Sequence, residues 1–406
     1  MTKPSSNLFR NARSFFFYLG VVWAAVIALL ATPFAQRHAT FKHALQYPFY
    51  TNYTAPEKYG LAPGKTLNFY ITTPDNETLG AWFVLSDTIY QMLPQDPFLV
   101  QPDETISYAL SHTPTVLFLH GAGGTRTNNF RVQAYQAFSS RLSCNVFAID
   151  YRGFGDSTGE PSQDGLVIDA YTAWSWLIEN GAEPQDILID GHSLGTGVAS
   201  QLAKRLAEEH RTAGGNGARP RGVLLHAPFS SAVTLAESYA LFGLPILQPI
   251  QSFPLGVKLI RRIMYTEFNT LAAISDFHVP TLIAHSRLDE QIPYSHSHTL
   301  IDELLSPLLP AKAPLPAPGS PNLKEEFAAF TEAQNDRREA RLAVVKKREI
   351  PNFGIIEEFD RDGSNGSGER KVVYVETIWG NHANIGLHEG VQDEIARVFR
   401  LGAHSA

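Results

Sequence analysis

The stretch Gly191-His192-Ser193-Leu194-Gly195 constrains this chain more than any other. It has the G-x-S-x-G form, in which a sharp strand-to-helix turn projects a serine out of the backbone. The flanks have the matching character. Ile187, Leu188 and Ile189 form a short apolar run of the kind a buried parallel strand uses. After the serine, Leu194, Val198, Leu202 and Leu206 recur as on one face of a helix. The two glycines let backbone pack where a Cβ would clash. Five residues of this form arise often by chance. Their meaning therefore depends on whether the rest of the chain supplies a histidine, an acid and an oxyanion hole in a workable order.

The 406 residues suffice for one large α/β domain with insertions or for two modest ones. A hydrophobic fraction of 44% supports a sizeable core. The net charge of -7 and the lack of a basic block argue against nucleic acid as a partner. Cys144 is the only cysteine, so no intrachain disulfide forms and the fold rests on its core.

Lys3, Arg10 and Arg13 precede an uncharged run, FFFYLGVVWAAVIALLATPFA, from Phe15 to Ala35. As a helix this run spans roughly 31 Å, close to the thickness of a bilayer core. It reads as an uncleaved signal anchor, with residues 1–14 as a cytoplasmic tail and 36–65 as a linker. A cleaved signal peptide is the rival reading. Its apolar region would be unusually long, and Pro33 sits badly before a cut after Ala35. The anchor reading places the chain after Ala35 in the lumen or outside the cell. Three sequons lie there, at Asn52, Asn76 and Asn365, each a glycan acceptor if it reaches the secretory pathway and a chance triplet otherwise.

Residues 66–406 read as one catalytic domain. Thr66–Thr72 and Thr78–Leu85 look like two strands joined at Pro74-Asp75-Asn76. Further apolar strands are expected at Thr115–Leu119, Val146–Ile149, Val223–Leu225, Thr281–Ala284 and Val372–Ile378. A helix is expected to present Val167, Ala170, Trp174 and Leu177 on one face. Apolar strands alternating with helical patterns give an α/β class, a mostly parallel sheet covered on both faces. Two segments break the rhythm. About 231–275 is rich in Leu, Ile, Phe and Pro, including YALFGLPILQPI at Tyr239–Ile250. It reads as a helical cap that either only shields a site or dips an apolar face into a bilayer. About 306–350 starts Pro-rich, as a linker does, and continues as a charged, solvated helix. A polar loop, Asp360–Arg370, precedes the last strand.

A serine hydroxyl is a poor nucleophile at neutral pH and needs a base, which needs an acid to orient it. Asp289 follows the Thr281–Ala284 strand and His382 follows the last strand, so the order is Ser193, Asp289, His382. Glu290 is the competing acid and His388 the competing base, the latter at the start of the last helix. The oxyanion would be held by the N–H of Leu194 and that of Ala122, in the His120-Gly121-Ala122-Gly123-Gly124 loop, with the positive end of the following helix adding to the field. His120 is expected to buttress that loop. His296 and His298 are two residues apart and would not share a helix face, and no Gly-Lys-Ser/Thr follows the glycine loop to make it a phosphate site.

HGAGG, DYRGFGDSTGEPS, GHSLGTGVA, the HSRLDEQIP segment and the final GNH together resemble the α/β-hydrolase serine hydrolases. With one N-terminal anchor the chain is similar to the monoacylglycerol and lysophosphatidylserine lipases of the endoplasmic reticulum membrane. The likeness runs from about Thr66 to the C-terminus, outside the 306–350 insertion. It implies an α/β-hydrolase fold, a catalytic domain facing the lumen, and Ser193, Asp289 and His382 as the triad. The long connection between Asp289 and His382 departs from the family pattern. The expected activity is cleavage of a lipid acyl ester, a monoacylglycerol or a lysophospholipid, through an acyl-enzyme. A protein-acyl thioesterase and a non-catalytic scaffold that binds lipid or protein are the alternatives. No metal or organic cofactor is called for.

Overall fold

In the computed structural model, which describes residues 5–94, 101–238, 252–317, 319–362 and 370–402, the apolar runs form the middle of a ten-stranded sheet. The strands are β1 (Thr66–Thr72), β2 (Thr78–Val84), β3 (Thr115–Leu119), β4 (Asn145–Ile149), β5 (Ile187–His192), β6 (Gly222–His226), β7 (Thr281–Ser286), β8 (Lys346–Ile350), β9 (Gly354–Asp360) and β10 (Lys371–Thr377). Their order across the sheet is β1-β2-β4-β3-β5-β6-β7-β10-β9-β8. From β4 to β10 neighbours run parallel, while β1-β2 and β9-β8 are antiparallel additions at the two edges.

Parallel neighbours need long crossovers, which helices supply on both faces of the sheet. The principal helices are α1 (Ser5–Leu30), α2 (Pro33–Phe41), α3 (Pro102–His112), α4 (Asn129–Gln136), α5 (Gln163–Glu179), α6 (Leu194–Thr212), α7 (Ala232–Ser238), α8 (Pro254–Ile263), α9 (Thr270–Ile274), α10 (Ser295–Leu305), α11 (Leu323–Val344) and α12 (Glu389–Phe399). The strand period of two divides the apolar residues between two cores. Leu117, Ile189, Leu225 and Ile283 join α3, α5, α6 and α10 on one side. Val116, Leu188, Leu224 and Leu282 join α4 and α12 on the other. The Leu194, Val198, Leu202 and Leu206 stripe is buried as its spacing predicts. On α5 the buried stripe is Leu166, Ala170, Ala173, Trp174 and Leu177, with Val167 turned partly outward.

The structure differs from the sequence expectations at three places. The apolar N-terminal helix begins at Ser5 and stops at Leu30 rather than running from Phe15 to Ala35. Pro33 has no N–H to continue it, and the Thr32 side chain caps the start of α2 by accepting from the Ala35 N–H at 3.3 Å. Second, the 36–65 stretch is more than a spacer, since Phe41 and Leu61 are buried in the core. Third, the charged segment ends in a hairpin. α11 is solvated, with no buried residue, but Lys346–Ile350 pairs with β9 as a fully exposed edge strand. Its Lys347, Arg348 and Glu349 keep that edge from pairing further. Of the cap, α7, α8 and α9 are described, whereas Tyr239–Ile250 lies outside the described residues, as does Asn365. Asn52 and Asn76 are exposed.

The DYRGFGDS segment serves as a clamp. Asp150 accepts from the Arg126 backbone N–H at 2.7 Å and from its guanidinium at 2.6 Å. Arg126 also reaches Asp156 at 2.6 Å, and its guanidinium lies 4.3 Å from the Tyr53 ring centroid. Both the Arg126 and Asp150 side chains are fully buried, and since Arg126 has a second carboxylate in Asp156, it is Asp150 that depends on the pair. Removing the cation of such a pair leaves a buried carboxylate without its ion-pair partner. Arg126→Ala is therefore expected to lower unfolding stability by about 3–5 kcal/mol, read by urea titration in detergent. A loss below about 1 kcal/mol would show that the clamp does not hold this edge of the fold.

Candidate active site

The geometry starts at the turn between β5 and α6. Ser193 has φ 54° and ψ −120°, a conformation that an L-residue adopts only under constraint. The constraint is close packing. A Cβ on Gly195 would lie 1.9 Å from the Leu119 carbonyl oxygen, and one on Gly191 would lie 2.5 Å from the Gly195 oxygen. Only glycines let the first turn of α6 sit this close to the ends of β3 and β5. The Ser193 N–H is held by the His226 carbonyl at 3.0 Å, and its own carbonyl accepts from the Thr196 hydroxyl at 2.6 Å. Beneath the turn, Asp190 and His226 lie 3.3 Å apart. Burial pushes the Asp190 pKa well up and His226 down to about 4, so it disfavours charge on both members of the pair.

The structure brings Ser193, His382 and Asp289 together at the carboxyl edge of the sheet. His382 Nε2 lies 2.8 Å from Ser193 Oγ, and His382 Nδ1 lies 2.7 Å from Asp289 Oδ2. The acid and the histidine are 93 residues apart in sequence. The intervening insertion closes on itself as α11 and the β8-β9 hairpin, and β10 returns beside β7. The other Asp289 oxygen accepts from the N–H groups of Gln291 at 2.8 Å and Ile292 at 2.9 Å. Burial alone raises the Asp289 pKa. Hydrogen bonds from His285, His382 and the Ile292 N–H outweigh it and hold the carboxyl well below the usual range. An ionised Asp289 makes His382 Nδ1 the donor and leaves Nε2 to accept from the Ser193 hydroxyl. Glu290 is exposed, and His388 stands at the N-cap position of α12 without a side-chain capping bond.

The His120–Gly124 loop lies against the serine, since a Cβ on Gly121 would be 3.0 Å from Ser193 Cβ. Neither the Ala122 nor the Leu194 N–H donates to another group among the described residues. Leu194 opens α6, whose dipole places positive potential there. His120 sits behind the loop, with Nδ1 2.8 Å from the Gly121 carbonyl and Nε2 3.4 Å from Asp150. His296 and His298 face different neighbours, Ser230 and Glu376. Among the described residues no group of three His, Cys, Asp or Glu is placed to hold a metal ion.

Three supporting residues escape sequence reasoning. His192 Nε2 lies 2.8 Å from the His382 carbonyl. Burial, followed by the neighbouring His382, keeps the His192 pKa far below its ordinary value, so it is a neutral donor. His285 is buried and spans Ser297 at 2.7 Å, the Ile292 carbonyl at 2.9 Å and Asp289 at 3.2 Å. Arg131 is buried and donates to the carbonyls of Thr125, Gly121 and Gly123 at 2.9, 3.0 and 2.6 Å. His192 carries the one available signal, the variable position of the turn beside the serine. His285 and Arg131 act on groups that only the fold brings near. His192→Ala frees the loop that carries His382 and is expected to lower kcat about ten- to a hundredfold with the fold intact. Unchanged kcat in steady-state assays would show that the loop is held by other contacts.

Residues 114–212 match the family model described as the alpha/beta hydrolase fold. The chain is 31% identical over 288 residues to lysophosphatidylserine lipase ABHD12 of Xenopus tropicalis, covering 68% of each chain. It is 30% identical over 302 residues to the Rattus norvegicus protein of that name, covering 72% of this chain and 69% of the relative. The crystal structure of an alpha-beta hydrolase from Vibrio vulnificus has a TM-score of 0.51 at 16% identity, covering 90% of this chain and 94% of that one, a likeness of fold alone. The extent and identity of these matches, on a sheet of this order, show that the chain belongs to the α/β-hydrolase lipase family and is an ester hydrolase.

Proposed function

We propose that this chain is a single-pass membrane serine hydrolase that cleaves the acyl ester of a monoacylglycerol or lysophospholipid. The observation that carries the reading is the unbroken hydrogen-bonded line Asp289–His382–Ser193, with bonds of 2.7 and 2.8 Å. In the reaction, Ser193 Oγ attacks the ester carbonyl as His382 Nε2 takes its proton. The carbonyl oxygen becomes an oxyanion held by the N–H groups of Ala122 and Leu194. The tetrahedral intermediate collapses, the alkoxide leaves with the proton from His382, and the acyl group stays on Ser193. Water, deprotonated by His382, then attacks the acyl-enzyme; the second tetrahedral intermediate releases the fatty acid as His382 returns that proton to Ser193 Oγ. Asp289 fixes the imidazole and offsets the charge on the imidazolium.

The lipid substrate is supported by the relatives' names as lysophosphatidylserine lipases. A membrane anchor is supported by α1, in which Arg10–Leu30 is apolar enough to cross a bilayer and none of that window is buried against the rest of the chain. A lumenal catalytic domain is supported by the cations before the helix and is compatible with the exposed Asn52 and Asn76; the endoplasmic reticulum is supported by the resemblance to the lipases of that membrane.

Ser193→Ala and His382→Gln are each expected to lower kcat on a lysophospholipid by about 10⁴-fold or more. Retained turnover in either would misassign that residue. On a panel of monoacylglycerols, lysophospholipids and acyl thioesters, the lipid esters are expected to have the highest kcat/KM; thioesters ahead of both would favour the thioesterase reading. Endoglycosidase treatment of protein from a eukaryotic membrane is expected to raise its gel mobility, and no shift would count against the lumenal orientation.

A further inference from the structure

The loop that carries Ala122 is held by the segment that follows the apolar N-terminal helix. The Gly123 N–H donates to the Phe41 carbonyl at 2.9 Å, and the Gly124 N–H donates to the Leu45 carbonyl at 2.8 Å. These are the two N–H groups directly after Ala122. Both glycines are left-handed, at φ 66° and 62°, which a residue with a Cβ rarely adopts. On the other side of the loop, Arg131 takes the carbonyls of Gly121 and Gly123. The backbone on each side of Ala122 is thus tied, and one set of ties comes from far upstream in sequence.

The upstream segment is itself anchored. Lys42 closes α2 in a left-handed turn at φ 51°, with its N–H on the His38 carbonyl at 3.1 Å. Phe41 is 1% exposed and meets the Phe268 ring edge-on at 6.5 Å. Phe268 lies against α6, because a Cβ on Gly197 would be 2.8 Å from it. Gln36 of α2 donates to the Ile263 carbonyl at 2.8 Å and accepts from the Tyr265 N–H at 3.0 Å, at the end of cap helix α8. One short helix therefore reaches the cap and the oxyanion loop directly, and the serine helix through Phe268.

We propose that residues 33–46 are a positioning element for the oxyanion loop, with Phe41 as its anchor, so that the chain leaving the apolar helix is part of the active site and not a tether. This rests on the reading of Ala122 as an oxyanion donor. Without the Phe41 anchor the Ala122 N–H drifts from where the oxyanion forms, while the Asp289–His382–Ser193 line stays in place. Removing such a donor outright costs about 10²–10³ in kcat, and displacing it costs part of that.

The test uses full-length protein in detergent with a soluble short-chain p-nitrophenyl ester and a trifluoromethyl ketone as tetrahedral analogue. Phe41→Ala is expected to lower kcat about tenfold or more with KM nearly unchanged, and to weaken the ketone by the same factor. Phe41→Leu is expected to restore most of both. A folded Phe41→Ala protein with wild-type kcat and ketone affinity overturns the proposal. A second variant covers poor folding. Gln36→Ala removes the bonds that tie α2 to the Ile263 carbonyl and the Tyr265 N–H and leaves Phe41 and the loop glycines in place. It is expected to lower kcat and to weaken the ketone by one common factor, with KM nearly unchanged. Wild-type kcat and ketone affinity in this variant overturn the proposal. Ser193→Ala measured alongside separates the two readings. Its retained activity defeats the catalytic assignment, whereas an inactive Ser193→Ala beside a wild-type-like Phe41→Ala defeats only the positioning role.

Discussion

The close approach of α6 to the ends of β3 and β5 is the constraint on which the rest of the site depends. At Gly195 there is no room for one more carbon, since the Leu119 oxygen would be 1.9 Å away. That contact forces the sharp turn, and the turn forces the backbone of Ser193 to φ 54°. Such a conformation costs on the order of 1–3 kcal/mol and persists only where packing over-determines it. Here the packing is the buried stripe of α6 against the sheet and the Ser193 N–H on the His226 carbonyl. The strain raises the serine above the sheet edge with the first N–H of α6 beside it.

The parallel sheet does the remaining assembly. Every strand from β4 to β10 ends at the same edge, so the loops after β3, β5, β7 and β10 converge there although they are far apart in sequence. Each loop is then fixed by buried polar contacts. Asp150 and Arg126 hold the base of the oxyanion loop, Arg131 and residues 33–46 hold its tip, His285 holds Asp289, and His192 holds the loop of His382. Buried polar groups of this kind are costly when unpaired and rigid when paired, which suits a site needing placement to a fraction of an ångström. The long connection that holds the insertion leaves after β7 and returns in β10, which pairs beside it.

The sequence was most legible where structure is local. Short apolar runs marked the central strands, and the four-residue stripe marked α6, because burial on both faces of a parallel strand or along one helix face writes itself into composition. Ser193, Asp289 and His382 stand out in the sequence because each follows a strand and their chain order is characteristic, and the fold brings the three side chains together. β8 was not legible. KKREI is fully exposed and is a strand only because β9 lies beside it. The break at Thr32-Pro33 is visible in hindsight as a cap and a proline, but the apolar run masked it. The roles of Phe41, His192 and Arg131 were hidden for another reason. Their partners lie on other elements, and no periodicity encodes a hydrogen bond to a distant backbone carbonyl.

The central claim is that the packed turn makes Ser193 the one activated serine of the chain. Intact-protein and peptide mass spectrometry after brief exposure to a fluorophosphonate tests it most directly. The account predicts a single adduct, carried by the peptide that contains Ser193 and lost when the protein is unfolded before exposure. An adduct on another residue of the native protein, or equal labelling of native and unfolded protein, would contradict it.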